Sequence, residues 1–170
     1  MKKVKNLYRD AYSGLSRPAW LLSMVMFVNR AGTMVMPFMT LYLTTALGYT
    51  IGKAGWVMAC FGCGAVVGGW LGGKLTDKFG FYFIQLFALL GGGLMFFVIG
   101  QLTEFSQICI ASFILASINE AFRPANSSAI THYSTLENRT RSFALNRLAI
   151  NVGWAFGGAL GGIIASTNYH

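Results

Sequence analysis

Apolar stretches of about 20 residues recur five times along this chain, and that repetition limits the possible folds more than any other feature. They run near Ala19–Thr44, Ala54–Gly73, Phe81–Gly100, Gln107–Tyr133 and Phe143–Ser166, with short links between them. Each is long enough to cross a hydrocarbon core about 30 Å thick. Lipid offers no partner to backbone N–H and C=O groups, so a crossing segment must bond to itself as a helix. The expected fold is an all-α, polytopic membrane protein, with residues 1–18 as a tail and residues 19–170 as a transmembrane domain of five helices.

The charges support this reading and set an orientation. Charged residues make up 11% of the chain and hydrophobic ones 55%; soluble domains carry about 25% charged residues. The net charge of +8 sits in short segments between the apolar runs, as beside anionic headgroups, without the basic and aromatic interleaving of nucleic-acid binding. Lys2, Lys3, Lys5, Arg9, Arg17, Lys74, Lys78, Arg139 and Arg141 fall on one side of the expected topology, and Lys53 alone on the other. Positive loops stay inside, so the N-terminus is expected in the cytoplasm and the protein in a plasma membrane, a bacterial inner membrane. The first apolar run begins only at Ala19 and outlasts a signal-peptide core, so the first span is expected to remain in the mature protein. On this topology the Asn138-Arg139-Thr140 sequon is a chance match.

Catalytic and metal chemistry find no support. Cys60, Cys63 and Cys109 lie inside apolar runs and read as packing residues. His132 reads as interfacial. No residue set fills a metal shell or supplies a nucleophile with its base, and no phosphate-cradling loop is present. Neither enzyme activity nor a cofactor is expected.

The informative residues are polar ones where lipid should be. Arg30 lies about eleven residues into the first span, roughly 16 Å deep at 1.5 Å per residue. An ionised arginine there costs at least about 2.5–3.5 kcal/mol unless it meets water or a partner. Asn29, Arg30, Thr33, Pro37 and Thr40 fall within an arc of about 100°, and Pro37 is expected to kink the span. In the fourth span Asn119, Glu120, Arg123, Asn126 and Ser127 share an arc of about 120°, Glu120 and Arg123 being spaced to pair. Asn146, Arg147 and Asn151 follow in the fifth. Glu120 is the one acid expected deep in the membrane, so it is the expected partner of Arg30 and the candidate proton site. Stripes of small residues, Gly64/Gly68/Gly72 and Gly153/Gly157/Gly161, mark close helix crossings.

Three segments carry a family resemblance. Gly73-Lys-Leu75-Thr-Asp77-Lys78-Phe-Gly80, between the second and third spans, resembles the loop motif of the major facilitator superfamily, with Phe81-Tyr82 in place of its final basic pair. Phe122 to Ile130 resembles that family's fourth span. Asn151-x-Gly153-x3-Gly157-Gly158-x2-Gly161-Gly162 resembles its fifth-span antiporter motif, with Gly158 in place of the proline and Ala144 in place of the upstream glycine. The resemblance implies a bundle of two six-helix halves, of which this chain would supply five helices of the first. It implies that Gly73, Leu75, Asp77, Lys78 and Gly80 gate the cytoplasmic side against a missing C-terminal half. It also implies that Gly153, Gly157, Gly158, Gly161 and Gly162 pack helices, and that the first and fourth spans line a cavity.

The function expected is secondary transport of a small organic solute by alternating access, coupled to a proton or another ion, with drug-type efflux first. Asn29, Arg30, Thr33, Asn119, Glu120, Arg123, Asn126 and Asn151 would line the path. Two alternatives stay open: proton-coupled uptake of a peptide, sugar or siderophore-like solute, and a helical membrane scaffold that transports nothing. The Arg-Pro-Ala-Asn-Ser-Ser string distantly resembles peptide symporters.

Overall fold

The computed structural model describes residues 14–33 and 35–167, and their regular structure is entirely helical. Residues 1–13, most of the expected tail, lie outside it, as do Met34 and the last three residues. Six helices follow one another: α1 Arg17–Gly32, α2 Val35–Thr45, α3 Ile51–Phe79, α4 Phe81–Gly100, α5 Phe105–Tyr133 and α6 Arg139–Thr167. The last four are each long and apolar enough to cross a membrane.

The first expected span is not one helix but two. Ser16 caps α1 through its side chain, and Pro18 occupies the first turn, where its missing N–H is no loss. The break falls between Gly32 and Val35, where Thr33 stands four residues before Pro37. A continuous helix would bond the Thr33 carbonyl to the N–H of residue 37, which proline lacks. Instead Thr33 O accepts from Met36 N at 3.2 Å, and Thr33 N closes α1 on Asn29 O at 3.1 Å. The proline acts a full turn upstream of its own position.

The loop motif also folds differently from the expectation. Gly73, Leu75, Asp77 and Lys78 continue α3 to Phe79, and Gly80 alone makes the turn to α4. Its φ of 84° is open to glycine and strained for other residues. The helix runs on past its apolar stretch because Lys74, Asp77 and Lys78 satisfy water on its exposed flank without giving up backbone bonds. The two final helices likewise extend beyond their apolar cores, α5 starting at Phe105 and α6 at Arg139.

Contacts at the helix ends fix an up-and-down order. At one end Asn138 Nδ2 donates to Gly14 O at 3.2 Å, Ser16 Oγ donates to Tyr133 O at 3.0 Å, and Phe81 packs on His132 and Tyr133. The α1 start, the α3–α4 turn and the α5–α6 link therefore share that end with Lys74, Lys78, Arg139 and Arg141. At the other end Tyr49 packs edge-on against Phe105, its hydroxyl donates to Thr103 O, and Lys53 lies over both rings.

The central helix is α5, which packs on α3, α4, α1 and α6. Glycines bring α3 against it. A Cβ at Gly64 or Gly68 would collide with the backbone of Phe113 or Ser117, and one at Gly72 would lie 2.5 Å from Ala121 Cα. Such small-residue contacts replace the hydrophobic drive that lipid removes. A second seam joins α1 to α6, where Gly153 leaves room for the Phe27 carbonyl and Arg30 Cβ. The main buried apolar cluster, including Met36, Met39, Leu43, Val57, Ile108 and Leu115, fills the end away from the basic residues.

Candidate functional site

The deepest charges meet where α1 crosses α5. Arg30 Nη1 donates to Glu120 Oε1 at 3.1 Å, and Arg123 Nη1 donates to Glu120 Oε2 at 3.2 Å. One carboxylate thus holds two guanidiniums, one per oxygen. The Arg30 side chain is 8% exposed and Glu120 16%, whereas Arg123 is 67% exposed. Arg30 is fixed at its root as well, since α6 presses on its Cβ through Gly153. Pro124, inside α5, lacks the N–H that would bond the Glu120 carbonyl, so the usual helix bond is missing beside the pair.

Around this centre the expected residues divide. Asn29 immediately precedes Arg30 on α1, and its Oδ1 is buried with no hydrogen-bond partner among the described residues. Thr33 is buried, but its hydroxyl donates to the Arg30 carbonyl at 3.0 Å, so it closes the helix end. Asn119 is buried against α4, where Gly92 has no Cβ to meet its Oδ1. Asn151 is exposed on α6. Arg30, Glu120 and Arg123 are brought together; Thr33, Asn126 and Asn151 stand apart from that contact.

Asn126 belongs to a second polar group that the sequence reading did not assemble. It is fully buried; its Nδ2 donates to Asn146 Oδ1 at 3.0 Å, and its Oδ1 accepts from Gln85 Nε2 at 3.3 Å. Three amides thereby tie α4, α5 and α6. Gln85 was the missed member. Its signal was a lone amide in the otherwise apolar run of α4.

The helix pairings, the loop string and the charged crossing can be set beside known proteins. Residues 19–170 match the sequence model of the Major Facilitator Superfamily. The chain belongs to that superfamily. Among its relatives is the "Uncharacterized MFS-type transporter YqjV" of Bacillus subtilis (strain 168), 26% identical over 161 residues, covering 95% of this chain and 38% of that protein. The "Tetracycline resistance protein, class H" of Pasteurella multocida is 33% identical over 98 residues, covering 58% of this chain and 24% of that protein. The "Multi-drug resistance efflux pump PmrA homolog" of Lactococcus lactis subsp. lactis (strain IL1403) is 25% identical over 148 residues, covering 85% and 36%. The chain spans no more than 38% of the length of these curated relatives. No solved structure matches.

The family's loop motif is carried by a rigid helix end. Asp77 and Lys78 are exposed, and Asp77 forms no ion pair among the described residues. Lys74 lies over the Trp70 ring at 3.9 Å, and Lys78 over Phe79 at 5.3 Å. The glycine motif of α6 divides by face. Gly153 and Gly157 are buried, while Gly158 and Gly162 are exposed, with open space where a Cβ would be. For this superfamily member the consequence is a membrane bundle with one charged crossing inside it, built from a lipid-compatible exterior.

Proposed function

We propose that this chain is the N-terminal part of a secondary transporter that moves a small organic solute by alternating access. The observation that carries the reading is the Arg30–Glu120–Arg123 contact between α1 and α5. A charge in lipid needs a partner or water, and here a buried pair opens onto an exposed third charge. Asn29, Arg30, Glu120 and Arg123 would line the path at this crossing, and Asn119, Asn126 and Asn151 would extend it. Glu120 is the proposed site of proton coupling, since a carboxylate shared by two arginines changes its hold on both when it is protonated.

Drug-type efflux is the preferred direction. Two relatives carry names that speak of tetracycline resistance and multi-drug efflux, and the fifth-span glycine motif agrees. The basic end of the bundle would face the cytoplasm of a bacterial cell, following the positive-inside rule. There Asp77 and Lys78 would meet a C-terminal half not included in this chain.

The test uses everted membrane vesicles containing the full-length transporter, energised so that their interior is acid. Efflux activity loads a fluorescent drug such as ethidium or a carboxylated dye into the vesicles, and an uncoupler releases it. Glu120→Gln, which cannot take up the proton, should lower this uptake by at least about tenfold, within the usual range of a coupling between two bound ligands. Loading of neither dye class, or equal loading by the Glu120→Gln protein, would refute the proposal.

A further inference from the structure

We infer that Arg123 is the point at which the transported solute is recognised, and that this solute carries an anionic group, a carboxylate or a sulfonate. The inference rests on the transport reading and narrows it to a substrate class.

The argument begins with charge. In α1, α2, α5 and α6 the sequence holds one acid, Glu120. Each of its oxygens is already engaged by one guanidinium. Two cations against one anion leave one positive charge without a counter-charge at the crossing. Arg30 is buried and fixed, so the surplus falls to Arg123, whose side chain is 67% exposed. Arg147, also exposed and on α6, brings no acid with it.

Geometry makes the surplus usable. A guanidinium has five N–H donors in a planar fork, and the Glu120 bond takes one Nη1 donor. The donors left over match the spacing of a carboxylate or sulfonate, which such a fork grips with two parallel bonds. The face around Arg123 is polar: Ser127 and Thr131 follow it at successive turns, and both are exposed. A lipid-facing stripe on this helix would be apolar, as on α4, where Phe83, Phe87, Leu90 and Leu94 are exposed. A cationic solute would meet like charge here, and a neutral one would leave the donors unmatched.

The experiment compares two fluorescent probes in energised everted vesicles holding the full-length transporter: carboxyfluorescein, an anion, and ethidium, a cation. The expected result is carboxyfluorescein transport whose KM rises at least tenfold in Arg123→Gln and less than threefold in Arg123→Lys. Glu120→Gln, which releases both arginines, should bind carboxyfluorescein more tightly even as driven transport falls. Carboxyfluorescein transport with an unchanged KM in Arg123→Gln overturns the inference. Transport of ethidium alone also overturns it while leaving the transport reading intact. Movement of neither probe brings down the transport reading and the inference with it.

Discussion

Replacing the three charges one at a time should rank them by what each loss leaves buried without a partner. The Arg30–Glu120 separation of 3.1 Å corresponds to an attraction of about 5 kcal/mol at an effective dielectric of 20, most of it spent against desolvation. Removing Glu120 leaves a buried arginine with no partner, and breaking such a pair costs about 3–5 kcal/mol. Glu120→Gln, which preserves volume, should therefore be the most damaging. Arg30→Gln leaves Glu120 bonded to Arg123, so its loss should be that of one charge-assisted bond, about 1.5–3 kcal/mol. Arg123→Gln removes an exposed partner and should cost less than about 1 kcal/mol. The assay is SDS-driven unfolding in mixed micelles, followed by circular dichroism. The Arg30→Gln/Glu120→Gln double variant should be less unstable than the two single losses added together. Three equal losses, or strict additivity for Arg30 and Glu120, would refute the assignment of a buried pair beside an exposed third charge.

Two packing predictions test the helix crossings. Gly68→Leu must push its side chain into the Ser117 backbone and should abolish the folded protein in a fluorescence size-exclusion assay. Gly69→Ala faces open space and should hold or gain stability, by up to about 1 kcal/mol. Asn126→Leu strands Gln85 and Asn146 together and should cost about 1–3 kcal/mol; a Gln85→Leu/Asn126→Leu pair should cost less than the sum of its members, by the same unfolding assay.

Much of this was legible in the sequence, for identifiable reasons. Lipid punishes unpaired backbone and unpaired charge so heavily that the all-helical fold and the partner of Arg30 follow from a few residues. Glu120 was the one acid available, and the structure places it 3.1 Å away. Details set by water or by tertiary contact were less legible. Apolarity marks the membrane's edge, not the helix's end: the apolar run stops at Gly73, while the α3 backbone continues to Phe79. Pro37 announced a disturbance, but the carbonyl that loses its usual N–H donor belongs to Thr33, which accepts from Met36 N instead, and the break lies there. Gln85 needed a partner on another helix, which no single-helix pattern displays.

The central claim is that the α5 face carrying Arg123 borders water inside the membrane. It is tested by placing single cysteines at Ser127 and, for comparison, at Leu94 on the apolar outside of α4, after replacing Cys60, Cys63 and Cys109. A thiol reacts as the thiolate, which forms only where water reaches it. A water-soluble maleimide should label position 127 at least tenfold faster than position 94. Equal, slow labelling at both positions would contradict the account.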